Sequence, residues 1–162
     1  MRQAICGFVL LVYLTGCTSS TPPCSDERTI ALVKRILTDS LKENVAAING
    51  RSDELLAVVS FEVLAIRAAG IDEKVGKFSC EADAEIKLPA DRTTQVLDFP
   101  QFKTALDDPR GKVRVTAEPS LSADIKFTSQ LTDDKSQHVV EVSGHGPLNK
   151  AGIRFGQVAG LI

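Results

Sequence analysis

Residues 77–88, which read Lys-Phe-Ser-Cys-Glu-Ala-Asp-Ala-Glu-Ile-Lys-Leu, alternate without a break between polar and apolar side chains. Because successive side chains of a strand point to opposite faces of a sheet, this period of two predicts a β-strand with one buried side. The preceding loop, residues 72–76, is polar and ends in Gly76, a residue that readily adopts the positive φ of a hairpin turn. We therefore predict a long hairpin in which residues 57–70 pair with residues 77–88.

The segment 52–70 is open to two interpretations. Ser52, Asp53 and Glu54 are residues that begin helices, whereas the β-branched and aromatic residues from Val58 to Ile66 favour a strand. The adjacent strand favours the hairpin, but the sequence leaves open whether the whole segment is strand or helix.

An amphipathic helix is predicted over residues 26–47. Ser25 is a suitable N-cap, Asp26 and Glu27 place negative charge in the first turn, and Asn49-Gly50 ends the pattern. Apolar residues recur at steps of three and four: Ile30, Val33, Leu37, Leu41, Val45 and Ile48. The polar face carries mixed charges, which favours packing on a protein core over lying in a membrane surface.

The remainder of the chain is predicted to add strands. Residues 125–131 and 138–143 alternate on either side of a polar turn and predict a second hairpin, residues 113–117 predict a short strand, and residues 99–106 a short helical turn. Residues 147–162 contain glycines without a sustained period, so we expect a flexible tail there.

These elements predict an α+β fold, with an N-terminal helix packed on a curved antiparallel sheet of four to five strands, in a single domain over residues 24–146. The order of the elements resembles a cystatin-like arrangement. No motif supports that likeness, so it implies nothing about function.

The composition narrows the possible functions. The chain has 162 residues, 43% hydrophobic and 25% charged, with a formal net charge of −2, which is typical of one folded domain and offers no electrostatic case for a nucleic-acid partner. Tryptophan is absent and the one tyrosine, Tyr13, lies near the N-terminus. A carbohydrate-binding role is disfavoured, because stacking on sugars relies on these two residue types.

The N-terminal segment has the pattern of an export signal. Arg2 supplies a positive charge, and an apolar run follows from Ala4 to Leu14. This run is about eleven residues, whereas a membrane-spanning helix needs about 20. We therefore predict that residues 1–16 are a signal peptide that is removed.

The sequence Leu14-Thr15-Gly16-Cys17 resembles the lipobox of bacterial lipoproteins. The resemblance implies that Cys17 is acylated, that the bond before it is cut, and that membrane lipid becomes a partner through this residue. Thr18 stands where an aspartate is associated with inner-membrane retention, which implies the outer membrane if the host is diderm. Residues 17–23 are small and polar or proline, and predict a tether.

The cysteines give a further constraint. If Cys6 leaves with the signal and Cys17 takes lipid, Cys24 and Cys80 remain in an oxidising compartment, where a disulfide is the simplest interpretation. Two free thiols or a metal site are the alternatives, although no CxxC motif is present.

Candidate catalytic residues are few. His138 falls in a predicted strand. His145 lies between Gly144 and Gly146, where a ligand has room to approach, so we predict a candidate ligand-binding loop at His145. The acidic row Glu81, Asp83 and Glu85 shares its strand face with Lys77 and Lys87, which is typical of a solvated face. We therefore expect no metal and no cofactor.

The leading functional hypothesis is a lipid-anchored bacterial envelope protein that acts as a non-catalytic binding or accessory protein for an envelope protein partner. A carrier of a small apolar ligand is an alternative, in which Ala65, Ala82 and Ala84 leave room inside the fold. An envelope hydrolase that uses His145 is a third.

Overall fold

The protein has an α+β fold in which helices pack on one side of an open antiparallel sheet of five strands. The structure, a computed structural model, describes residues 20–49, 52–97, 99–100, 113–116 and 120–162. The helices in these ranges are α1 (Glu27–Asn49), α2 (Ser52–Leu56), α3 (Ala90–Leu97) and α4 (Gly146–Val158). The strands are β1 (Ser60–Asp72), β2 (Lys77–Lys87), β3 (Arg114–Val115), β4 (Ser120–Leu131) and β5 (His138–Ser143). The predicted fold class is confirmed.

The two predicted hairpins form the frame of the sheet. β1 pairs with β2 from Ser60 opposite Lys87 to Asp72 opposite Lys77, and Gly76 in the turn has the expected positive φ of 63°. β4 pairs with both β2 and β5, and β3 adds a short pairing to β4. β1 and β2 therefore lie on one side of β4, with β5 and β3 paired to its other side.

Both interpretations of residues 52–70 apply, each to a different part. Ser52–Leu56 is the short helix α2, and β1 begins at Ser60. β1 is then interrupted by a bulge, because the pairing register shifts between Leu64 and Arg67 and Ala65 has a φ of 48°. The bulge leaves Ala65 exposed, so the prediction that this side chain faces the interior is wrong.

The core lies between the sheet and helices α1 and α4. On α1 the predicted stripe is confirmed for Val33, Leu37, Leu41 and Val45, which are fully buried, but it is wrong for its last member, Ile48, which is 55% exposed. The capping side chain is Asp26 and not Ser25, because Asp26 Oδ1 accepts a hydrogen bond from the backbone N–H of Arg28 at 2.9 Å. The sheet contributes the side chains that alternate inward from β2 and β4: Cys80, Ala82, Ala84, Ile86, Leu121, Ala123, Ile125 and Phe127.

The C-terminal residues are the main correction to the predicted fold. We expected a flexible tail over residues 147–162, but Gly146–Val158 is helix α4, which contacts α1 and β4. Its buried positions follow a helical period: Leu148, Asn149, Ala151, Gly152, Phe155 and Gly156. Two of these are glycines, which carry no apolar side chain, so the helical pattern was hidden in the sequence.

The glycines of α4 permit close packing. A Cβ atom at Gly152 would lie 3.0 Å from Ile86 Cδ1, and one at Gly156 would lie 3.1 Å from Leu55 Cδ2. The helix ends in a Schellman motif, in which the N–H of Leu161 bonds to the carbonyl of Gly156 at 2.8 Å and Gly160 has a φ of 68°. Residues up to Leu161 are therefore part of the folded domain.

The N-terminal boundary also differs from the prediction. Residues 1–19, which include the predicted signal peptide and Cys17, lie outside the described residues. Within the predicted tether, Pro22 is buried and its carbonyl accepts a hydrogen bond of 2.6 Å from Ser129 Oγ. The tether prediction is therefore wrong for Pro22, because its carbonyl satisfies a buried hydroxyl of the sheet.

Two smaller elements complete the comparison with the sequence. No element was predicted over α3, which is stabilised at its start by Thr93 Oγ1, the donor of a 2.7 Å hydrogen bond to the carbonyl of Pro89. The predicted helical turn over residues 99–106 lies mostly outside the described residues. In the part of the chain that the structure describes, no helix is both long and apolar enough to cross a bilayer.

Candidate functional site

Cys24 and Cys80 form a disulfide, as predicted. Their Cα atoms are 5.8 Å apart, and both residues are buried. The bond joins the chain just before α1 to the inner face of β2. These two cysteines are therefore structural, and they are neither free thiols nor metal ligands.

His145 does not lie in a free loop. It is the residue before α4, and its Nε2 atom lies 3.1 Å from Oγ of Ser40 on α1. Asn149, one turn into α4, donates from Nδ2 to the same Oγ at 2.9 Å. The three side chains form a polar cluster that joins α1 to α4 across more than a hundred residues of sequence.

This cluster has only part of what nucleophilic catalysis needs. A serine hydroxyl beside a histidine nitrogen is the arrangement of a nucleophile and its base. A third group normally orients the base, but within the described residues the buried Nδ1 of His145 has no hydrogen-bond partner. Burial lowers the pKa of His145, because the charged imidazolium is poorly solvated there. The geometry supports a structural link between two helices more directly than it supports a reaction.

The partial burial of His145 predicts acid sensitivity. The pKa of His145 is lowered by burial, and the pKa of His138 is lowered by burial and by the charge of Arg28, whereas both are near 6.5 when unfolded. As the pH falls below 6.5, the unfolded chain binds protons that the folded chain binds less readily, so stability is full above this pH and declines below it. Each histidine contributes at most about 1.4 kcal/mol per pH unit.

We expect urea unfolding to show a lower free energy of unfolding at pH 5.5 than at pH 7.5. His145→Gln should lose less over this interval than the wild type, because one of the two titrating groups is gone. An equal loss in the variant and the wild type would contradict the assignment to His145.

The outer face of the sheet carries cross-strand ion pairs of alternating sign. Glu81 on β2 lies 3.1 Å from Arg67 on β1 and 3.5 Å from Lys126 on β4. Further along, Arg114 of β3 lies 3.2 Å from Asp83 and 3.1 Å from Asp124. These side chains are partly or largely exposed, so each pair contributes little to stability and remains accessible to another molecule.

The acidic row of β2 is therefore only partly the solvated face that the sequence predicts. Glu81 and Asp83 are partly exposed, but Glu85 is only 5% exposed and accepts a 2.6 Å hydrogen bond from Ser120 Oγ. Burial raises the pKa of Glu85, but hydrogen bonds from Ser120 and Lys87 outweigh this and leave the pKa below its usual value. Glu85 thus belongs to the structure of the sheet rather than to a binding face.

Two contiguous grooves lie on this outer face. The larger groove, of about 350 Å³, crosses β1, β2, β4 and β5, from Ala69 on β1 to Glu141 on β5. The smaller, about 270 Å³, shares Glu81, Lys126 and Ser143 with it and extends to Arg67. Both grooves are open to solvent and bounded by side chains of both charge signs. We name this surface, centred on Glu81 and Lys126, the groove face.

The groove face and the Ser40 cluster were found only in the structure. Among the described residues, no group of three or more His, Cys, Asp or Glu is placed to hold a metal ion. No protein-family model, curated protein or solved structure matches this chain. The cystatin-like arrangement accordingly stays an interpretation of element order.

Proposed function

We propose that this chain is a lipid-anchored bacterial envelope protein that binds a protein partner without catalysing a reaction, and that the groove face is its binding surface. The observation that carries the proposal is the pair of contiguous grooves around Glu81 and Lys126. Such a surface suits a polar protein segment that carries both positive and negative side chains. On binding, Glu81 or Lys126 can replace its present ion pair with one to the bound segment, so no charge is left unpaired.

The position of the anchor rests on the sequence. The lipobox ends at Cys17, and the described chain begins three residues later at Ser20. An acylated Cys17 would hold the domain at the membrane, in the outer membrane of a diderm host, because two or three acyl chains together give stable membrane anchoring. The partner is then a protein of the same membrane surface or of the adjoining wall.

Two observations make binding the preferred proposal over a carrier. Ala82 and Ala84 are fully buried, and α4 approaches the neighbouring Ile86 closely through Gly152. Ala82 and Ala84 are thus next to a close contact between α4 and the sheet. Their small size is explained by this packing, and a bound ligand is not needed to explain it. The grooves lie on the opposite, polar side of the sheet.

The first test separates the anchor from the partner. The full-length protein, tagged after Ile162, is expressed in its native host, cross-linked in intact cells and extracted from membranes with detergent. We expect the wild type to be in the membrane fraction together with a discrete envelope protein. Cys17→Ala should leave the membrane fraction and lose the partner; retention of this variant in the membrane would contradict the anchor.

The second test addresses the groove face. Lys126 is 76% exposed in its side chain and lies beside Glu81, so Lys126→Glu reverses the charge at the centre of the grooves. We expect at least a tenfold loss of the cross-linked partner, because like charges across an interface disfavour binding.

Lys42→Glu is the matched control, since Lys42 is an exposed lysine on α1, away from the sheet. It should retain the partner at the wild-type level. Equal capture by both variants, at wild-type thermal stability, would show that the groove face is not the binding surface.

A further inference from the structure

The chain enters the folded domain beside the turn between β1 and β2. The disulfide holds Cys24 to Cys80 near the start of β2, and the carbonyl of Pro22 is bonded to Ser129 on β4, opposite Phe78. Thr21 reaches the turn itself, because a Cβ atom at Gly76 would lie 3.2 Å from Thr21 Oγ1. The covalent bond makes this attachment permanent in an oxidising compartment.

The predicted lipid site is therefore close to that turn. Cys17 is four residues before Thr21. A fully extended chain covers at most about 3.6 Å per residue, so the four residues of chain between Cys17 and Thr21 can span no more than about 15 Å. If Cys17 is embedded at a bilayer surface, the turn is held within about 15 Å of that surface.

The same turn carries exposed apolar side chains. Val75, in the turn, is 62% exposed, and Ile71, near the end of β1, is 53% exposed. Among the described large hydrophobic residues Val75 has the highest exposure, in a position where polar residues and glycine are usual. Single exposed apolar residues are common on proteins, so their position next to the anchor is the decisive observation.

We propose that the β1–β2 turn is a membrane-contacting element, in which Val75 and Ile71 enter the boundary between lipid headgroups and acyl chains beside the acylated Cys17. This inference rests on the proposed lipid anchor. The local charges are mixed, with Asp72 and Glu73 next to Lys74. Contact therefore depends on the apolar side chains, and zwitterionic lipid is sufficient for it.

Two attachments would fix the orientation of the domain, whereas a single flexible anchor would not. The groove face includes Ala69 and Ser79, which lie within a few residues of the turn. In this orientation the larger groove opens sideways just above the membrane. A partner would thus be engaged at the membrane surface.

The absence of tryptophan from the chain makes a direct test available. Val75→Trp is prepared as the lipidated full-length protein and reconstituted into phosphatidylcholine vesicles, with or without phosphatidylcholine brominated near the top of its acyl chains. We expect a blue-shifted emission and at least twofold quenching by the brominated lipid.

Val58→Trp is the matched control. Val58 is also an exposed valine, at 39%, but it lies before Ser60 at the opposite end of β1. At about 3.3 Å per residue, β1 separates the two ends by roughly 40 Å, so this tryptophan should be unquenched. Adding Ile71→Asp to Val75→Trp should reduce the quenching at least by half.

The outcomes distinguish this inference from the anchor on which it rests. Co-sedimentation with vesicles and the mass of the intact protein report acylation of Cys17 independently of fluorescence. An acylated, vesicle-bound protein with equal or no quenching at positions 75 and 58 would overturn the membrane-contacting turn alone. A protein without acyl chains that does not co-sediment would overturn both proposals.

Discussion

Replacing both Cys24 and Cys80 with alanine is expected to lower the free energy of unfolding by about 4 kcal/mol. The disulfide closes a loop of 56 residues, and its loss frees that loop in the unfolded chain. The native state loses little packing, since the two cysteines are small, but it loses the only described covalent link between the N-terminal segment and the sheet. The effect should thus appear mainly as a lower midpoint of cooperative unfolding.

Urea unfolding followed by circular dichroism measures this effect. With a slope near 2 kcal/mol per molar urea, the midpoint should fall by about 2 M. Wild-type protein in the presence of a reductant is the control, and it should fall by a similar amount, while the double variant should be insensitive to reductant. If the free energy of unfolding fell by less than about 1 kcal/mol, the disulfide would contribute little to the stability of the fold.

The second large effect is expected at Phe155. This side chain is fully buried on α4, in the segment that the sequence predicts to be a flexible tail. Phe155→Ala should lower the free energy of unfolding by about 3–5 kcal/mol, because it removes apolar contacts and leaves a cavity between α4 and the rest of the core. A tail residue would give no measurable change.

Arg154 provides the matched control on the same helix. It is exposed, and its Nη1 atom donates to Oε1 of the nearby Gln157 at 2.9 Å. Arg154→Ala should change the free energy of unfolding by less than about 0.5 kcal/mol. If both substitutions had similarly small effects, α4 would not be part of the cooperative core.

The candidate site was less accessible from sequence than the fold. His145 was recognised as a candidate because glycines flank it, but its partner Ser40 lies on a helix whose apolar stripe does not include it. Nothing local links two residues that are 105 positions apart. The acidic row of β2 can be recognised in the sequence. The burial of Glu85 cannot, because it depends on a hydrogen bond from Ser120 on another strand.

The sequence by itself determined those features that repeat over a few residues. The period of two in β2 and β4 and the period of three to four in α1 each report which side of an element meets the core. The disulfide followed from counting cysteines under the assumption of export. Each of these inferences depends on residue types and their local spacing, and each agrees with the structure.

Only the tertiary structure decided where elements meet. The glycines of α4 look like breaks in the sequence, but their missing side chains are what allow the helix to approach Ile86 and Leu55. The bulge at Ala65 shifts the register of β1. Thr21 lies against the β1–β2 turn and Pro22 against β4, and both of these follow in the chain by more than fifty residues. The physical reason is the same in each case: close contacts between distant segments depend on the shape of both surfaces, and a local pattern describes only one of them.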